Sequence, residues 1–435
     1  MWYHKKNDRG GNITNMTNSL FDFIKKCPDP YHASAVVTEI LENAGYTRLD
    51  EYAEHPVSGR YYVTRGNAVA AFRIPENPAG FMITASHSDS PGFRLKMSGS
   101  KDSSEYTVLC TERYGGMINY SWFDRALELS GRAVISTEDG IRFRNFRTGA
   151  PVAVIPSVAP HLNRKVNTDF TPDVARDLVP LFGMKGESIK DFVAELCGIS
   201  ADDLVSFDGV LSCADDGFIF GKDGCFISAP RLDDLMCAYT MLEGFLAADD
   251  SASVPVYCLY DGEEIGSRLR DGADSDFLAT VLRLIAGDEK TYRQMLENSI
   301  LISSDNAHAV HPNHPELSDS ADVKLNGGLV VKRSASRSYM TEGVTDGIVC
   351  GICRRAGVPV QHFSNRSDLP GGSTLGAIAV TGLPVLCADI GAPQLAMHSA
   401  VETAGAADVA HMTKFATGFY SSSIEIRGGE IKIIK

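Results

Sequence analysis

Long apolar runs alternate with helical patterns along this chain, and this alternation most constrains how it can fold. Residues 80–86 form a nearly unbroken apolar run, as expected for a strand that is buried on both faces of a sheet. Similar runs occur at residues 254–260, 299–304 and 383–390, and an apolar helical stripe spans residues 233–247. Alternating β and α units predict an α/β fold with a mixed sheet and helices on both faces.

The chain has 435 residues, which is long for one domain, and its sequence pattern changes part-way along. Residues 97–227 hold short alternating segments separated by turn signals such as Gly115-Gly116, which is typical of a β-rich unit. We therefore predict a main α/β domain in two segments, 16–96 and 228–435, with residues 97–227 inserted between them as a β-rich domain.

The first 15 residues are polar and rich in Gly and Asn, unlike the segment that follows. A helical pattern begins at Met16, and Asn18 or Ser19 is available as its cap. We expect residues 1–15 to be a disordered extension or a cloning artefact.

Net charge and cysteine content indicate which classes of partner and which cellular location this chain can have. The formal net charge of -14 and the pI near 5.3 argue against nucleic acid or an anionic membrane surface, since either would repel an acidic protein. Ten cysteines without a repeated spacing are typical of a reduced cytoplasmic protein. The opening residues lack the apolar stretch expected of a signal peptide, and the sequence has no run of about 18 apolar residues. We expect a soluble cytoplasmic protein that acts on small or peptidic partners.

Cys350 and Cys353 form the one CxxC pattern, inside a helical run. A structural zinc site of that type needs a second ligand pair, and the sequence has no second CxxC. We therefore interpret both cysteines as packing residues.

Five side chains of metal-binding type follow predicted strand ends or open a helix: His87, Asp233, Glu264, Asp305 and His398. In open α/β sheets, loops from several strands converge at the carboxyl ends of the strands, so these side chains are expected to meet there. Imidazole and carboxylate are zinc ligands, and a pair of zinc ions needs about this many ligands with one carboxylate shared. The sequence therefore predicts a dinuclear zinc site.

Acidic residues beside two of these ligands allow more than one interpretation. Asp89 lies two residues after His87, where its carboxylate can accept the second ring N–H of that histidine. In isolation the pair is typical of a polar surface loop. Asp233 and Asp234 open a helix, so capping is the alternative to a metal ligand shared by two ions.

Two further polar segments follow apolar strands. In the Glu263-Glu264 pair, Glu264 is the candidate ligand and Glu263 the candidate general base, and the alternative is a solvated acidic loop. The segment after residue 305 contains His308, His311 and His314. The aspartate at the strand end is the better ligand, and we interpret these histidines as substrate-facing or loop-ordering groups.

Eight motifs follow one another between about Met16 and the C-terminus: SHSDSPGFRLK, RYGGMINYSWFDRALELSGR, PHLNRKVN, RLDDL, DGEEIGS, SSDNAHAVHPNH, NRSDLPGGSTLG and DIGAPQLAMHS. In this combination and order, the chain resembles the aspartyl aminopeptidase family of dinuclear zinc peptidases. The resemblance implies a catalytic metallopeptidase domain, an inserted dimerisation domain, and homodimers that assemble into a tetrahedral dodecamer.

The resemblance also implies roles for individual residues. The ligands of one zinc ion would be His87, Asp233 and Asp305. The ligands of the second would be Asp233, Glu264 and His398. Glu263 corresponds to the catalytic base and Asp89 to the carboxylate behind His87.

Three further residues would face the substrate. His161 corresponds to a histidine that reaches into the active site of the neighbouring subunit. Lys332 matches a lysine that pairs with an acidic N-terminal side chain, although a solvated strand-end lysine is the alternative and Arg333 stands beside it. His308 lies in the histidine-rich motif and is expected at the substrate.

The chain departs from the family pattern at a few positions. Asp234 stands where the family commonly has Asn, which adds a negative charge close to the shared carboxylate. Gly371 replaces a frequent Cys, and residues 119–121 differ from the usual ones. None of these changes removes a ligand.

These observations predict a zinc metallo-aminopeptidase with two Zn2+ per subunit, for which Co2+ or Mn2+ are expected substitutes. The zinc pair would activate a bridging water and Glu263 would accept its proton. The resemblance further implies a preference for peptides with N-terminal Asp or Glu. The alternatives are a dinuclear zinc aminopeptidase of neutral or broad preference, a related amidohydrolase, or an inactive assembly protein. An inactive protein would be expected to lose ligands or the base, and all of them are present.

Overall fold

The computed structural model describes residues 8–319, 323–369 and 371–434. In these ranges the α-helices are α1 (Asp8–Lys26), α2 (Pro30–Asn43), α3 (Ile189–Cys197), α4 (Leu232–Ala247), α5 (Phe277–Ala286), α6 (Glu289–Leu296), α7 (Gly343–Ala356), α8 (Leu375–Gly382) and α9 (Ala406–Tyr420). None of these helices combines the length and the apolar character that crossing a membrane requires.

The strands in the same ranges are β1 (Thr47–Arg48), β2 (Gly59–Arg65), β3 (Ala68–Ile74), β4 (Phe81–His87), β5 (Gly92–Ser103), β6 (Tyr106–Tyr114), β7 (Leu127–Thr137), β8 (Gly140–Arg147), β9 (Leu181–Met184), β10 (Leu204–Cys213), β11 (Phe218–Phe220), β12 (Phe226–Ala229), β13 (Val254–Tyr260), β14 (Ile300–Ser304), β15 (Ala307–His308), β16 (Leu329–Lys332), β17 (Val360–Phe363), β18 (Leu386–Gly391), β19 (Pro393–Leu395), β20 (Glu402–Gly405), β21 (Ser423–Arg427) and β22 (Glu430–Ile434).

The main sheet has nine strands in the order β1-β2-β3-β13-β4-β14-β18-β16-β17. Its four central strands, β13, β4, β14 and β18, run parallel to one another, while β3 and β16 pair with them antiparallel. Every residue of β4 and β13 is buried, as expected for strands that are covered on both faces. The sheet is therefore mixed, and the carboxyl ends of its central strands lie at one edge.

Helices cover both faces of this sheet. α1, α2, α4, α7 and α9 contribute to the apolar cluster on one face, and α5, α6 and α8 contribute to the cluster on the other. Met82 of β4 packs in the first cluster and its neighbour Ile83 in the second, because side chains alternate along a strand. Each fully buried side chain of this size contributes roughly 1.5–3 kcal/mol. The predicted α/β fold with helices on both faces of a mixed sheet is confirmed.

A second sheet of six strands, in the order β8-β7-β10-β5-β6-β9, has an apolar core of its own. Its strands begin at Gly92, earlier than the predicted insertion of residues 97–227. β11 and β12, which the sequence pattern places in the insertion, belong instead to a five-stranded sheet with β20, β19 and β15. Because β12 pairs with β20 and ends just before α4, this pairing anchors the helix that carries Asp233.

The first helix begins at Asp8 rather than at the predicted Met16. Ile13 and Met16 both pack against the main apolar cluster. This packing stabilises helical turns that precede the start predicted from the cap signals. Residues 8–15 are therefore helical and not a disordered extension, and residues 1–7 lie outside the described residues.

Candidate active site

Five side chains meet at the carboxyl edge of the main sheet. His87 is the last residue of β4, and Asp305 directly follows β14. Glu264 lies in the loop after β13, His398 in the loop after β19, and Asp233 in the first turn of α4. The structure thus brings together all five residues that the sequence predicts as metal ligands.

The ligand atoms form two groups that share Asp233. One group is His87, Asp233 and Asp305, the other is Asp233, Glu264 and His398, and within each group the ligand atoms lie within 4.8 Å of one another. Oδ1 of Asp233 lies 3.6 Å from Nε2 of His87, whereas Oδ2 lies 3.4 Å from Nε2 of His398. One carboxylate therefore connects two sets of three residues.

These groups have the spacing and chemistry of zinc ligands. Zinc bonds of about 2.0–2.2 Å to nitrogen and oxygen place neighbouring ligand atoms roughly 3.3–3.6 Å apart in a tetrahedral site. Within the described residues, Oδ1 of Asp233 and Oε1 of Glu264 are buried without a hydrogen-bond partner, which is uncommon for buried polar atoms. Two zinc ions would satisfy both oxygens, so the donor set fits a dinuclear centre.

The electrostatics of the site agree with this fit. Burial, followed by the charge of Asp233, raises the pKa of Glu264 well above its ordinary value. Burial opposes charge on the ring of His398, but Asp233 and Glu264 raise the pKa of this histidine to about 10. Protons are drawn to the site because negative charge is concentrated there. A divalent cation would instead stabilise ionised carboxylates and neutral imidazoles.

Glu263 lines the same cavity as the five candidate ligands. Burial raises the pKa of its carboxyl to about 7, an effect that His87 opposes and Asp305 reinforces. A carboxylate beside the ligands suits a proton acceptor. His87, Glu263 and Glu264 also lie within 4.8 Å of one another, so metal coordination by Glu263 is the alternative role.

Asp89 organises the loop that carries both glutamates. Its carboxylate accepts hydrogen bonds from the backbone N–H groups of Glu263 at 3.0 Å and Glu264 at 3.1 Å, and from the Tyr114 hydroxyl at 2.8 Å. The ring Nδ1 of His87, predicted to bond this carboxylate, hydrogen-bonds to the backbone carbonyl of Asp89 at 3.0 Å, and the nearest carboxylate oxygen lies 3.3 Å away. The carboxylate faces the glutamate loop because two amides and a hydroxyl converge on it there.

Asp234 supports a ligand through the backbone. Its Oδ2 accepts a hydrogen bond from the N–H of His87 at 3.2 Å. Asp233 and Asp234 both have non-helical backbone angles. Asp233 belongs to the ligand groups and Asp234 bonds to His87, so neither residue is only a cap of α4. Burial raises the pKa of Asp234 well above its ordinary value, which opposes the added negative charge that the sequence suggests.

Glu402 is an organising residue that the sequence analysis did not identify. It is buried, and it accepts hydrogen bonds from the N–H of His398 at 2.7 Å and from the N–H of Asp233 at 2.9 Å. His398 has a φ of 68°, a conformation that costs energy for a residue other than glycine, and the bond to Glu402 holds this turn. The only local signal was an acid four residues after a candidate ligand.

The region of the six-stranded sheet also reaches the site. The carbonyl of Gly116, which follows β6, hydrogen-bonds to Nδ1 of His398 at 3.0 Å, and Tyr114 of β6 bonds to Asp89. A carbonyl at one ring nitrogen leaves the other nitrogen free for a metal. The family resemblance implied a dimerisation domain here, but this region also orients one candidate ligand directly.

The ligand cluster opens into a cavity of about 290 Å³. Lys332 and His308 line this cavity, whereas His161 lies on an exposed loop and is not among the described residues that line it. The buried ammonium of Lys332 donates to the carbonyls of Asp305 at 2.7 Å and Asn306 at 3.1 Å, and it lies 3.4 Å from the Asp305 carboxylate. Lys332 therefore holds the strand end that carries Asp305 and also faces the cavity.

Comparison with known proteins identifies relatives that span nearly the whole chain. A sequence profile described as "Aminopeptidase I zinc metalloprotease (M18)" matches residues 23–420. The chain is 36% identical over 423 residues to a probable M18 family aminopeptidase 2 of Stutzerimonas stutzeri, which covers 94% of this chain and 98% of the relative. Similar solved structures are Ape4 in a complex with Nbr1 (29% identity, TM-score 0.92, 96% of this chain and 88% of that one) and the yeast mApe1 dodecamer (26% identity, TM-score 0.81, 94% and 97%).

Proposed function

This chain belongs to the M18 family of zinc aminopeptidases, and we propose that it uses two zinc ions to remove N-terminal residues from peptides, with a preference for aspartate and glutamate. The resemblance to aspartyl aminopeptidases is thereby confirmed at the level of the family. The observation that carries the two-ion proposal is the pair of three-residue ligand groups that share Asp233.

Each group of side chains has a defined task in this proposal. His87, Asp305 and Asp233 would hold one ion, and Glu264, His398 and the shared Asp233 would hold the other. Zinc bound there would supply Lewis acidity toward the scissile carbonyl and the attacking water. Glu263 accepts the proton of the attacking water and returns it to the departing amine.

Lys332 supports the preference for acidic N-terminal side chains. Its ammonium is buried and lines the cavity, where a carboxylate is attracted more strongly than in water. Burial opposes the charge on this lysine, but Asp305 raises its pKa, so the side chain stays positive. A substrate carboxylate would share this cation with Asp305, and His308 would contact the substrate from the same cavity.

A broad substrate preference is the competing proposal, and two observations favour it. The Lys332 ammonium already has two carbonyls and the Asp305 carboxylate as partners. Tyr339 and Phe363 add aromatic surface to the cavity. Chromogenic aspartyl, glutamyl and leucyl substrates decide between the two proposals. An aspartyl-to-leucyl ratio of kcat/KM well above one, lost in Lys332→Met and kept in the matched Arg333→Met, supports the acidic preference, and a ratio near one in the wild type refutes it.

We extend the proposal to assembly: the insertion forms dimers, and the dimers associate into a tetrahedral dodecamer in the cytoplasm. The exposed position of His161 suits a residue that acts on a neighbouring subunit, and the related yeast mApe1 has been solved as a dodecamer. In this assembly His161 reaches the cavity of its neighbour. Light scattering of the purified protein measures the number of chains in the particle, and a stable monomer would refute the assembly.

Metal reconstitution tests the central proposal. The protein is stripped with a chelator and reloaded stepwise with zinc, cobalt or manganese while hydrolysis of an N-terminal residue is measured. We expect no turnover without metal and full recovery only after at least two equivalents of zinc, with cobalt or manganese as substitutes. Full recovery after one equivalent would refute the dinuclear mechanism. A protein that binds the metal but hydrolyses no substrate would favour the alternative of an inactive assembly protein.

A further inference from the structure

The two cysteines of the CxxC pattern have different surroundings on α7. Cys353 is fully buried in the main apolar cluster, as a packing residue should be. Cys350 is only partly buried and lies beside Asp346 of the same helix and His362 of β17. Packing accounts for Cys353, but it does not account for three side chains of metal-binding type at one place on the surface.

The three side chains already have nearly the spacing of a coordination sphere. Oδ1 of Asp346 lies 3.3 Å from Sγ of Cys350 and 3.0 Å from Nε2 of His362. The ligand atoms of all three residues lie within 4.8 Å of one another. Zinc bonds of about 2.0–2.3 Å place neighbouring tetrahedral ligands roughly 3.3–3.8 Å apart. Small side-chain adjustments would therefore suffice to enclose an ion.

The backbone explains why these residues meet. Asp346 and Cys350 are four residues apart on α7, so they share one face of the helix. His362 stands next to Phe363, which lines the cavity, and successive strand residues point to opposite sides. The cluster therefore lies on the side of β17 that faces away from the candidate active site.

The chemistry of the cluster selects the kind of ion. One thiol sulfur, one imidazole nitrogen and one carboxylate oxygen suit zinc or cobalt, whereas calcium and magnesium prefer sites made only of oxygen. The side chain of His362 is 48% exposed, which leaves a path for the ion and space for water as a fourth ligand. Arg333 lies 3.5 Å from the other oxygen of Asp346, so this carboxylate is already held in place.

We propose that Asp346, Cys350 and His362 form a third metal site of this chain, which binds one zinc-type divalent ion independently of the active site. Binding would release the thiol proton of Cys350 to solvent and form a bond between the ion and the thiolate. The charges of the ion, the thiolate and the carboxylate cancel. The site does not depend on the proposed aminopeptidase mechanism.

Cobalt provides a specific test because a thiolate bound to Co2+ produces a near-ultraviolet charge-transfer band, whereas nitrogen and oxygen ligands do not. The five candidate ligands of the active site include no cysteine, so such a band reports on the third site alone. The full-length protein is stripped of metal and titrated with Co2+ while absorbance, metal content and peptide hydrolysis are measured. We expect a thiolate band whose final intensity corresponds to one thiolate-bound Co2+ per chain.

Matched variants assign the band. Cys350→Ser should abolish it, His362→Gln should weaken the binding of this ion, and Cys353→Ser, the control from the same helix, should retain the band. Hydrolysis should remain at the wild-type level in Cys350→Ser. The absence of a thiolate band in the wild type at saturating Co2+, or its persistence in Cys350→Ser, would overturn the proposal. Absence of hydrolysis in the Co2+-loaded wild type that shows the band would instead count against the proposed function.

Discussion

Glu402 accepts a hydrogen bond from the backbone N–H of His398 at 2.7 Å. The second oxygen of the same carboxylate accepts the N–H of Asp233 at 2.9 Å. One buried side chain thus fixes the backbone of two candidate ligands that approach from different elements, β12–α4 and the loop after β19. Because ligand orientation sets metal affinity, groups behind the ligands matter nearly as much as the ligands themselves.

We predict that Glu402→Gln lowers the affinity of the site for zinc by about 10- to 100-fold. The amide has one acceptor oxygen, and its NH2 group would face the N–H of either Asp233 or His398. Competition with a chromophoric chelator measures the affinity. Asp408→Asn is the matched control, because Asp408 is also buried and also accepts two backbone N–H groups, those of Asn326 and Gly328. Equal loss of zinc affinity in both variants would show a general effect on the fold.

Glu263→Gln is expected to reduce kcat by about 10²- to 10⁴-fold, the usual contribution of a general base. Zinc content should stay at two per active site, because the amide keeps the size of the side chain and no ligand is removed. Kinetics combined with elemental analysis checks both statements. Loss of a zinc ion in this variant would reassign Glu263 as a ligand, which the group of His87, Glu263 and Glu264 allows.

Tyr114→Phe tests the contribution of the six-stranded sheet to catalysis. The change removes the hydroxyl that donates to Asp89 at 2.8 Å and keeps the ring, whose face the Arg94 guanidinium carbon approaches to 4.0 Å. Loss of one hydrogen bond to a carboxylate is worth about 1–2 kcal/mol, so kcat/KM should fall roughly 5- to 30-fold. Tyr106→Phe, at an exposed position on the same strand, should leave kcat/KM unchanged. If Tyr114→Phe keeps the wild-type kcat/KM, the Tyr114 hydroxyl does not contribute to catalysis.

Subunit mixing tests whether His161 acts across an interface. His161→Ala and Glu263→Gln are each expected to have low activity, for different reasons. In a mixed dimer, the His161→Ala chain retains its own Glu263 and receives His161 from its partner, so co-expression should recover about a quarter of the wild-type activity. If His161 served its own subunit, every site in the mixture would lack one group. Activity would then remain at the level of the two single variants.

The five candidate ligands could be predicted because each follows a pattern confined to a few residues. Residues 80–86 and 299–304 are apolar runs that end directly before His87 and Asp305. A strand buried on both faces and a polar residue at its end are both visible locally, and parallel strands align such ends at one edge. The start of α1 was predicted too late because Ile13 gains its burial from distant elements and not from a local cap.

The sequence by itself determined the α/β architecture, the residue types of a zinc site and membership of an aminopeptidase family, because apolar periodicity and motif spacing are local properties of the chain. Only the tertiary structure decided which groups each acidic side chain binds. The Asp89 carboxylate accepts a hydrogen bond from the loop of Glu263, 174 positions away, and also lies 3.3 Å from the ring of His87, two residues before it. Glu402 likewise bonds to Asp233 and Gly116 to His398, and Tyr114 bonds to Asp89. Hydrogen bonds between residues so far apart depend on how the elements pack together, and no pattern along the chain specifies that packing.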